Sequence, residues 1–356
     1  MAPLAPLFEF RVHPTRASLE APLGRDSSAL EALAARCDEG SAYRAGVVMI
    51  RGKLRQLAVP KPELDAVQRR INQILYPVDL SLGPAPHGYV ARRSTLTNAR
   101  PHTGARFLQK FDIKDFFSNI PTARIESTLG GLGFGSEAAS TLSRLTSCQG
   151  SLPLGARTSP RISNMVLIDL DDQMEALASE LDLIYTRYAD DLTFSALDPF
   201  DVSASVMDAI TDAGFELNAA KTKRFKHGQP MFVTGLSVAD SKFPRVRKRL
   251  KAQLRQEFYF IEKFGLEGHA AAVGESPSWT ASRLTGEYHY CRTVEPDFAD
   301  GLARNYPAAR ATIVPEHEDS RVERAQRHRR AFLSEVSNAP SKGLPYYVPS
   351  VPLLDR

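Results

Sequence analysis

Two adjacent carboxylates, in Tyr188-Ala189-Asp190-Asp191, stand between two short apolar, β-favouring runs. Leu181-Asp182-Leu183-Ile184-Tyr185 precedes them and Leu192-Thr193-Phe194-Ser195 follows. Adjacent carboxylates repel each other and resist burial. Their concentration at a strand junction therefore points to a divalent cation holding them together. A second acidic strand end, Phe111-Asp112-Ile113-Lys114-Asp115-Phe116-Phe117, lies well upstream. Together the two make two-metal phosphoryl transfer the leading expectation, with Asp112 and Asp190 as its metal ligands and Asp191 beside them. The plain structural alternative is a pair of capped turns with exposed acids.

The rest of the chain is compatible with that chemistry. A length of 356 residues, 43% hydrophobic and 24% charged, is enough for a sizeable core and two or three lobes. Forty-five Lys and Arg against 41 Asp and Glu leave a formal charge of +4. The distribution says more than the total, because seven basic side chains and no acidic one lie between Lys242 and Arg255. That run favours a polyanionic partner, against the alternative of a solvated helix face. Cys37, Cys148 and Cys291 are too widely separated for zinc, and an odd number argues against a full disulfide framework. A reducing cytoplasm fits, with no signal peptide pattern and no run of transmembrane length, hence no membrane partner.

Periodicity gives an α+β order rather than a regular βαβ series. Residues 1–25 read as irregular, and Ser28 as the cap of a helix to about Arg36. Residues 43–50 and 54–59 read as strands joined at Arg51-Gly52-Lys53. Pro62 opens a helix with Leu64, Val67, Ile71 and Leu75 at helical spacing, and Gln68, Arg69 and Arg70 lie away from much of that stripe. A strand over 106–111 leads into the first acidic turn. Helices follow over 122–129 and 137–147, then a Gly-Pro-Ser loop over 150–160 and one longer helix over 161–181. Beyond the acidic pair, a helix over 202–213, strands within 231–238 and a helix over 245–263 complete the pattern. No internal repeat is present.

In this order the motifs resemble those of bacterial reverse transcriptases. The two acidic segments are similar to that family's central palm motifs, and Leu152-Pro153-Leu154-Gly155-Ala156-Arg157-Thr158-Ser159-Pro160, with Ile162-Ser163-Asn164, resembles the element between them. Gly214-Phe215-Glu216-Leu217-Asn218, followed by Lys221-Thr222, resembles the next palm element. Asn98-Ala99-Arg100-Pro101-His102 and Val233-Thr234-Gly235 resemble the NAxxH and VTG elements of retron reverse transcriptases. Without that context they are a loop cap, a surface histidine and an ordinary strand and turn.

The resemblance implies a right-hand polymerase fold of the α+β class. It divides into an N-terminal segment (1–42), interleaved fingers and palm (43–232), a thumb (233–310) and a C-terminal extension (311–356). It implies catalysis by Asp112, Asp190 and Asp191 with two Mg2+ ions, Mn2+ serving as a substitute in vitro. Lys53, Arg55, Asp115, Phe116, Phe117, Leu154, Gly155 and Lys221 would meet the incoming deoxynucleoside triphosphate. Phe117 would act as the aromatic gate against a ribose 2′-hydroxyl, and Lys221 would meet pyrophosphate. RNA contacts would come from Gln68, Arg69, Asn98, His102, Arg245, Arg247, Lys248, Arg249, Lys251 and Arg255.

The bland readings stand beside these: an exposed two-cation hairpin for Lys53 and Arg55, and core packing for the Phe pair. For Phe258, Tyr259, Phe260, Trp279 and Tyr288 the choice is between base stacking and thumb packing.

The resemblance further implies a structured non-coding RNA that both primes and templates multicopy single-stranded DNA. Nascent single-stranded DNA and a defence effector protein would be partners, and anti-phage defence the role. Leu154 departs from the family's Gln at that position and Arg157 from its Pro. These departures keep open a general or untemplated DNA-synthesising homologue. A weakly catalytic RNA-binding scaffold for a defence effector is the alternative of a different class.

Overall fold

A computed structural model of the chain describes residues 14–50 and 53–314, without the side chains of residues 49, 50, 53, 79 and 80. The expected turn at Arg51-Gly52, the irregular start before residue 14 and the expected extension beyond residue 314 lie outside the described residues. In chain order the elements are α1 (Glu20–Leu23), α2 (Ser27–Asp38), β1 (Tyr43–Ile50), β2 (Lys53–Pro60), α3 (Pro62–Ser81), α4 (Thr95–Ala99) and β3 (Phe107–Asp112). Then come α5 (Thr122–Gly131), α6 (Ser136–Thr146), α7 (Ser159–Val166), α8 (Ile168–Glu180), β4 (Ile184–Tyr188), β5 (Asp191–Ala196) and α9 (Ser203–Asp212). Three short strands follow, β6 (Lys223–Lys226), β7 (Phe232–Val233) and β8 (Leu236–Ser237). Four helices close the described chain: α10 (Lys248–Val273), α11 (Pro277–Val294), α12 (Pro296–Asn305) and α13 (Pro307–Ile313). Helices and strands are mixed without βαβ regularity, the α+β class expected of a polymerase palm.

The chain divides into two compact units. Of the described residues, the first takes those within 14–90, 109–194 and 201–223, and the second those within 91–108, 195–200 and 224–314. Within the first, β1 and β2 form an antiparallel hairpin in which Val48 faces Arg55 and Gly46 faces Leu57. Pro62 occupies the first turn of α3 beside Glu63 and Asp65, where a missing N–H costs nothing and acids suit the helix dipole. The stripe Leu64, Val67, Ile71 and Leu75 is fully buried, so hydrophobic spacing located that helix correctly. The four-stranded sheet runs β4-β5-β3-β6. Its apolar side is knitted by aromatic contacts: Phe194 stacks on Tyr185 at 4.7 Å and meets Phe111 edge-on at 6.1 Å.

The second unit builds its own core. Leu254, Phe258 and Ile261 of α10 are buried with Leu284, Tyr288 and Cys291 of α11 and with Leu302 and Ile313. Phe258 and Tyr288 stack at 5.8 Å, which settles both as packing residues, whereas Tyr259 and Trp279 are exposed. A buried ionic cluster supports the same helices. Glu257 accepts from Arg283 at 3.0 and 2.7 Å and pairs with His269 at 3.2 Å across the bend of α10. Val233-Thr234-Gly235 forms the tight turn between β7 and β8, with φ of 45° at Thr234 and 86° at Gly235. Two successive residues at positive φ match the twist of a two-residue hairpin.

Three expected boundaries are corrected. Asp26, not Ser28, caps α2: its carboxylate accepts from the Ala29 N–H at 2.8 Å, and the Ser28 hydroxyl donates to Asp26. The expected helix over 161–181 is two helices, because Leu167 leaves helical geometry at φ −102°, ψ 8°. The basic helix starts at Lys248 rather than 245, since Arg245 exchanges both backbone hydrogen bonds with Ser237 and is extended. It then runs on to Val273 through a break at Gly265, whose φ of 75° and ψ of 166° only glycine adopts readily.

Phe258 is fully buried in the second core, stacked on Tyr288. Phe258→Ala should cost about 3–5 kcal/mol through lost burial and the cavity left behind, measurable by urea denaturation. A loss well under about 1 kcal/mol would show that this core does not carry the unit's stability.

Candidate active site

The acidic turn is built around a buried arginine. Arg187, the penultimate residue of β4, has no exposed surface. Its Nε donates to Asp171 Oδ1 at 2.7 Å and its Nη2 to Oδ2 at 2.5 Å. Nη1 donates to the Ala189 carbonyl at 2.9 Å and to Asn164 Oδ1 at 3.1 Å. Tyr185 adds a hydroxyl bond to the same Asp171 at 2.9 Å. The guanidinium therefore grips the carbonyl of Ala189, the residue held at φ 57° that reverses the chain between β4 and β5. Burial raises the cost of ionising either partner. The bidentate geometry and the attraction of Asp171 nonetheless keep Arg187 charged, with its pKa above the ordinary value.

A second segment braces the turn from outside. Residues 85–88 run parallel to β4: Arg187 donates its N–H to the Ala85 carbonyl at 2.8 Å, and His87 donates to the Arg187 carbonyl at 2.6 Å. Gly88 is pressed so closely on the turn that a Cβ there would stand 2.4 Å from the Ala189 nitrogen. Asn164 of α7 holds the Gly88 carbonyl at 2.9 Å.

Backbone pairing brings the other acid to this turn. Ile113 donates to the Asp190 carbonyl at 3.0 Å, and Asn218 to the Asp112 carbonyl at 2.7 Å. Asp112 ends β3 as a buried carboxylate, and Lys221 Nζ lies 2.7 and 2.8 Å from its two oxygens. Burial pushes Asp112 up against the lowering influence of Lys221. Asp190 is pushed up to about 6, first by burial and then by the charges of Asp112 and Asp191. Lys110 stands 4.0 Å from Asp191.

Among the described residues, no three His, Cys, Asp or Glu side chains stand together as a ready metal-holding group. The expected ligand set of Asp112, Asp190 and Asp191 is therefore not assembled as such, and the Lys221 ammonium takes both oxygens of Asp112. The donor chemistry still fits a hard divalent cation. It consists of carboxylate oxygens, and at Asp190 burial first and then the charges of Asp112 and Asp191 raise the pKa.

The expected nucleotide-facing residues divide by burial. Phe117 is half-buried, whereas Phe116 is only 3% exposed and packs on Phe117 and Phe215. Phe116 thus packs against Phe117 from the buried side, and its expected substrate contact is corrected. Asp115 is exposed at φ 44°, and its carbonyl accepts from Asn119. The Leu154 carbonyl accepts from Ala58 of β2 at 2.9 Å, and Gly155 at φ 113° lies against the same strand. Arg55 is exposed on β2; Lys53 opens that strand, but its side chain lies outside the described residues.

Three expected RNA contacts are also corrected. Gln68 is fully buried and donates to Tyr43 and to the Leu145 carbonyl, because its position turns into the α3 stripe. Asn98 and His102 are buried too, and His102 Nδ1 lies 2.6 Å from Ser195 Oγ. The Asn98 side chain leaves its oxygen without a partner. The two retron-like elements meet: Thr234 donates to the Thr95 carbonyl at the start of α4, the helix that carries Asn98. Arg69 is exposed but paired with Asp65 at 3.0 Å.

In the basic run, Arg245 and Lys251 are committed to Glu295, and Arg255 lies over Phe298 at 4.8 Å. Lys248 and Arg249 are exposed, and Arg247 is exposed while lying over Phe232 at 4.5 Å. The dense spacing therefore does not place all seven on one surface.

Arg187, Asp171, Asn164 and Gly88 are the organising residues that reading the motifs missed. Arg187 and Asn164 lie inside quoted motifs, yet nothing in a polar residue's identity announces full burial. Asp171 is one of three acids in four residues of α8 and carries no mark of its own.

Comparison with known proteins agrees with this geometry. The reverse transcriptase (RNA-dependent DNA polymerase) family matches residues 43–241, more than half of the chain. The chain is 35% identical over 276 residues to the Retron Mx65 reverse transcriptase of Myxococcus xanthus, covering 71% of this chain and 61% of that protein. It is 35% identical over 263 residues to the Retron Mx162 reverse transcriptase of the same organism, covering 63% and 53%. Against the Retron Ec86 reverse transcriptase of Escherichia coli the figures are 31% over 225 residues, covering 62% and 70%. The chain belongs to the retron-type reverse transcriptases.

Removing one partner of the buried pair strands the other. Arg187→Met should cost about 3–5 kcal/mol in urea denaturation, and a second change, Asp171→Leu, should return much of that loss. Equal losses in the single and double variants would contradict the pairing. The acids give a pH prediction. Native Asp190 binds its proton more tightly than the unfolded chain, so its ionisation lowers stability as pH rises from about 4 to about 6. In chelator, Asp190→Asn should raise the melting temperature above that window and leave it unchanged below.

Proposed function

We propose that this chain is an RNA-directed DNA polymerase that extends a nucleic-acid hydroxyl with deoxynucleotides. The observation that carries the reading is the Ile113–Asp190 backbone bond, which brings the end of β3 with Asp112 to the turn that carries Asp190 and Asp191. Bound at these carboxylates, two Mg2+ ions would lower the pKa of the primer hydroxyl and neutralise the departing pyrophosphate.

The chain's own groups do the rest. The β4–β5 turn, clamped by Arg187, holds the carboxylates in place before substrate arrives, so little reorganisation is needed at reaction. Lys221 shields Asp112 in this structure, and with a divalent cation held at those oxygens its ammonium would be free to meet the triphosphate. Phe117 presents a ring edge to the sugar and excludes a 2′-hydroxyl by contact. Arg55 offers a planar fork to phosphate oxygens. Arg247, Lys248 and Arg249 supply exposed charge for an RNA backbone, so affinity falls as salt rises.

Within this reading the RNA is a structured molecule serving as both primer and template, and the product is retron-type multicopy single-stranded DNA. Support comes from the kinship with retron reverse transcriptases and from the meeting of the two retron-like elements at Thr95 and Thr234. A defence effector partner and an anti-phage role belong to the same reading and rest on that kinship alone. The chain spans 61% and 53% of the two M. xanthus relatives.

Purified protein with its copurified RNA, Mg2+ and labelled deoxynucleotides tests the proposal. Template-dependent extension should appear, and Asp190→Asn should reduce it by at least about a thousandfold, the scale on which removing an essential catalytic group acts. No incorporation with Mg2+ or Mn2+ while RNA binding persists would refute polymerisation.

A further inference from the structure

Tyr89 is the one residue at this site that the motifs did not single out and the fold holds in an unfavourable conformation. It follows Gly88, which is pinned against the Ala189 nitrogen and by Asn164, so its backbone has nowhere to relax. Its φ is 63°, a value that bulky aromatic residues avoid. The strain does not serve burial, because the side chain is 47% exposed. A buried aromatic could justify such a cost by packing; a half-exposed one needs another reason, and strain of this kind gathers at ligand contacts.

The direction of the ring supplies the reason. Its centroid lies 6.3 Å from that of Phe117, with the planes at 61°, an edge-to-face contact. Burial of the phenol, and after it the charges of Asp190 and Tyr188, raises its pKa. Tyr89 therefore touches the ring proposed as the sugar gate and lies within electrostatic reach of Asp190. A nucleotide whose reactive end sits at Asp112 and Asp190 and whose sugar rests on Phe117 has Tyr89 beside that sugar.

We infer that Tyr89 forms a second wall of the sugar pocket, bracing Phe117 and helping to reject a ribose 2′-hydroxyl. The inference rests on the polymerase reading above. It assigns the work to the ring: an edge-to-face partner fixes the orientation of Phe117, and loss of the ring frees Phe117 to move away from the 2′ position. The phenolic hydroxyl is not needed for that role.

Single-nucleotide incorporation on a fixed RNA template, comparing a deoxynucleotide with its ribonucleotide, tests this directly. Tyr89→Ala should lower the deoxy-over-ribo ratio of kcat/KM about tenfold, chiefly by lowering the ribonucleotide KM. Tyr89→Phe should keep the wild-type ratio. Tyr89→Gly relieves the positive φ, so it serves as the ring-deleted variant should Tyr89→Ala fold poorly, and should show the same relaxation. Phe117→Ala is the control for the gate itself. An unchanged ratio in the ring-deleted variants, with Phe117→Ala relaxed, overturns the role of Tyr89 alone. Wild-type protein that incorporates neither nucleotide overturns the polymerase reading and this inference with it.

Discussion

The bidentate bond between Arg187 and Asp171 is the interaction on which the candidate site depends. Both partners are withdrawn from water, and a buried ion pair recovers its desolvation cost only when its remaining hydrogen-bonding capacity is also met. Here it is met: Tyr185 completes Asp171, while Asn164 and the Ala189 carbonyl complete Arg187. An apolar pair could fill the same volume. It could not hold a carbonyl in the middle of a reversing turn, the turn that carries Asp190 and Asp191.

The opposite electrostatic arrangement lies a few residues away. Asp190 carries an elevated pKa, raised first by burial and then by the charges of Asp112 and Asp191. Lys221 relieves Asp112, and Lys110 approaches Asp191. One buried charge cluster is saturated and rigid, and the other is left unsatisfied. A fold that neutralises its structural arginine completely while leaving its acids in mutual repulsion has a scaffold and a reactive end, joined by a single turn.

Much of this was legible in the residues. The α3 stripe, the β1–β2 hairpin and the two acidic strand ends follow from spacing and turn chemistry, and the structure places them accordingly. Burial of polar side chains was not legible. Gln68 looks like an exposed neighbour of Arg69 and Arg70, yet it turns inward to Tyr43 and Leu145. Asn98 and His102 read as loop polars and are core residues. The two-helix break at Leu167 escaped because a leucine carries no helix-stop signal; the fold, not local propensity, interrupts the helix there. The basic run misled in a related way, since Glu295 lies forty or more residues from the cations it neutralises.

The proposed function requires the Arg187-clamped turn to present a divalent-cation site together with Asp112. Anomalous diffraction from crystals of the protein grown with Mn2+ and a non-hydrolysable deoxynucleoside triphosphate tests it most directly. The account predicts Mn2+ peaks in contact with Asp112, Asp190 and Asp191, with Lys221 turned from Asp112 and the Arg187–Asp171 bond unchanged. Mn2+ bound elsewhere, with Lys221 still seated on both oxygens of Asp112, would contradict it.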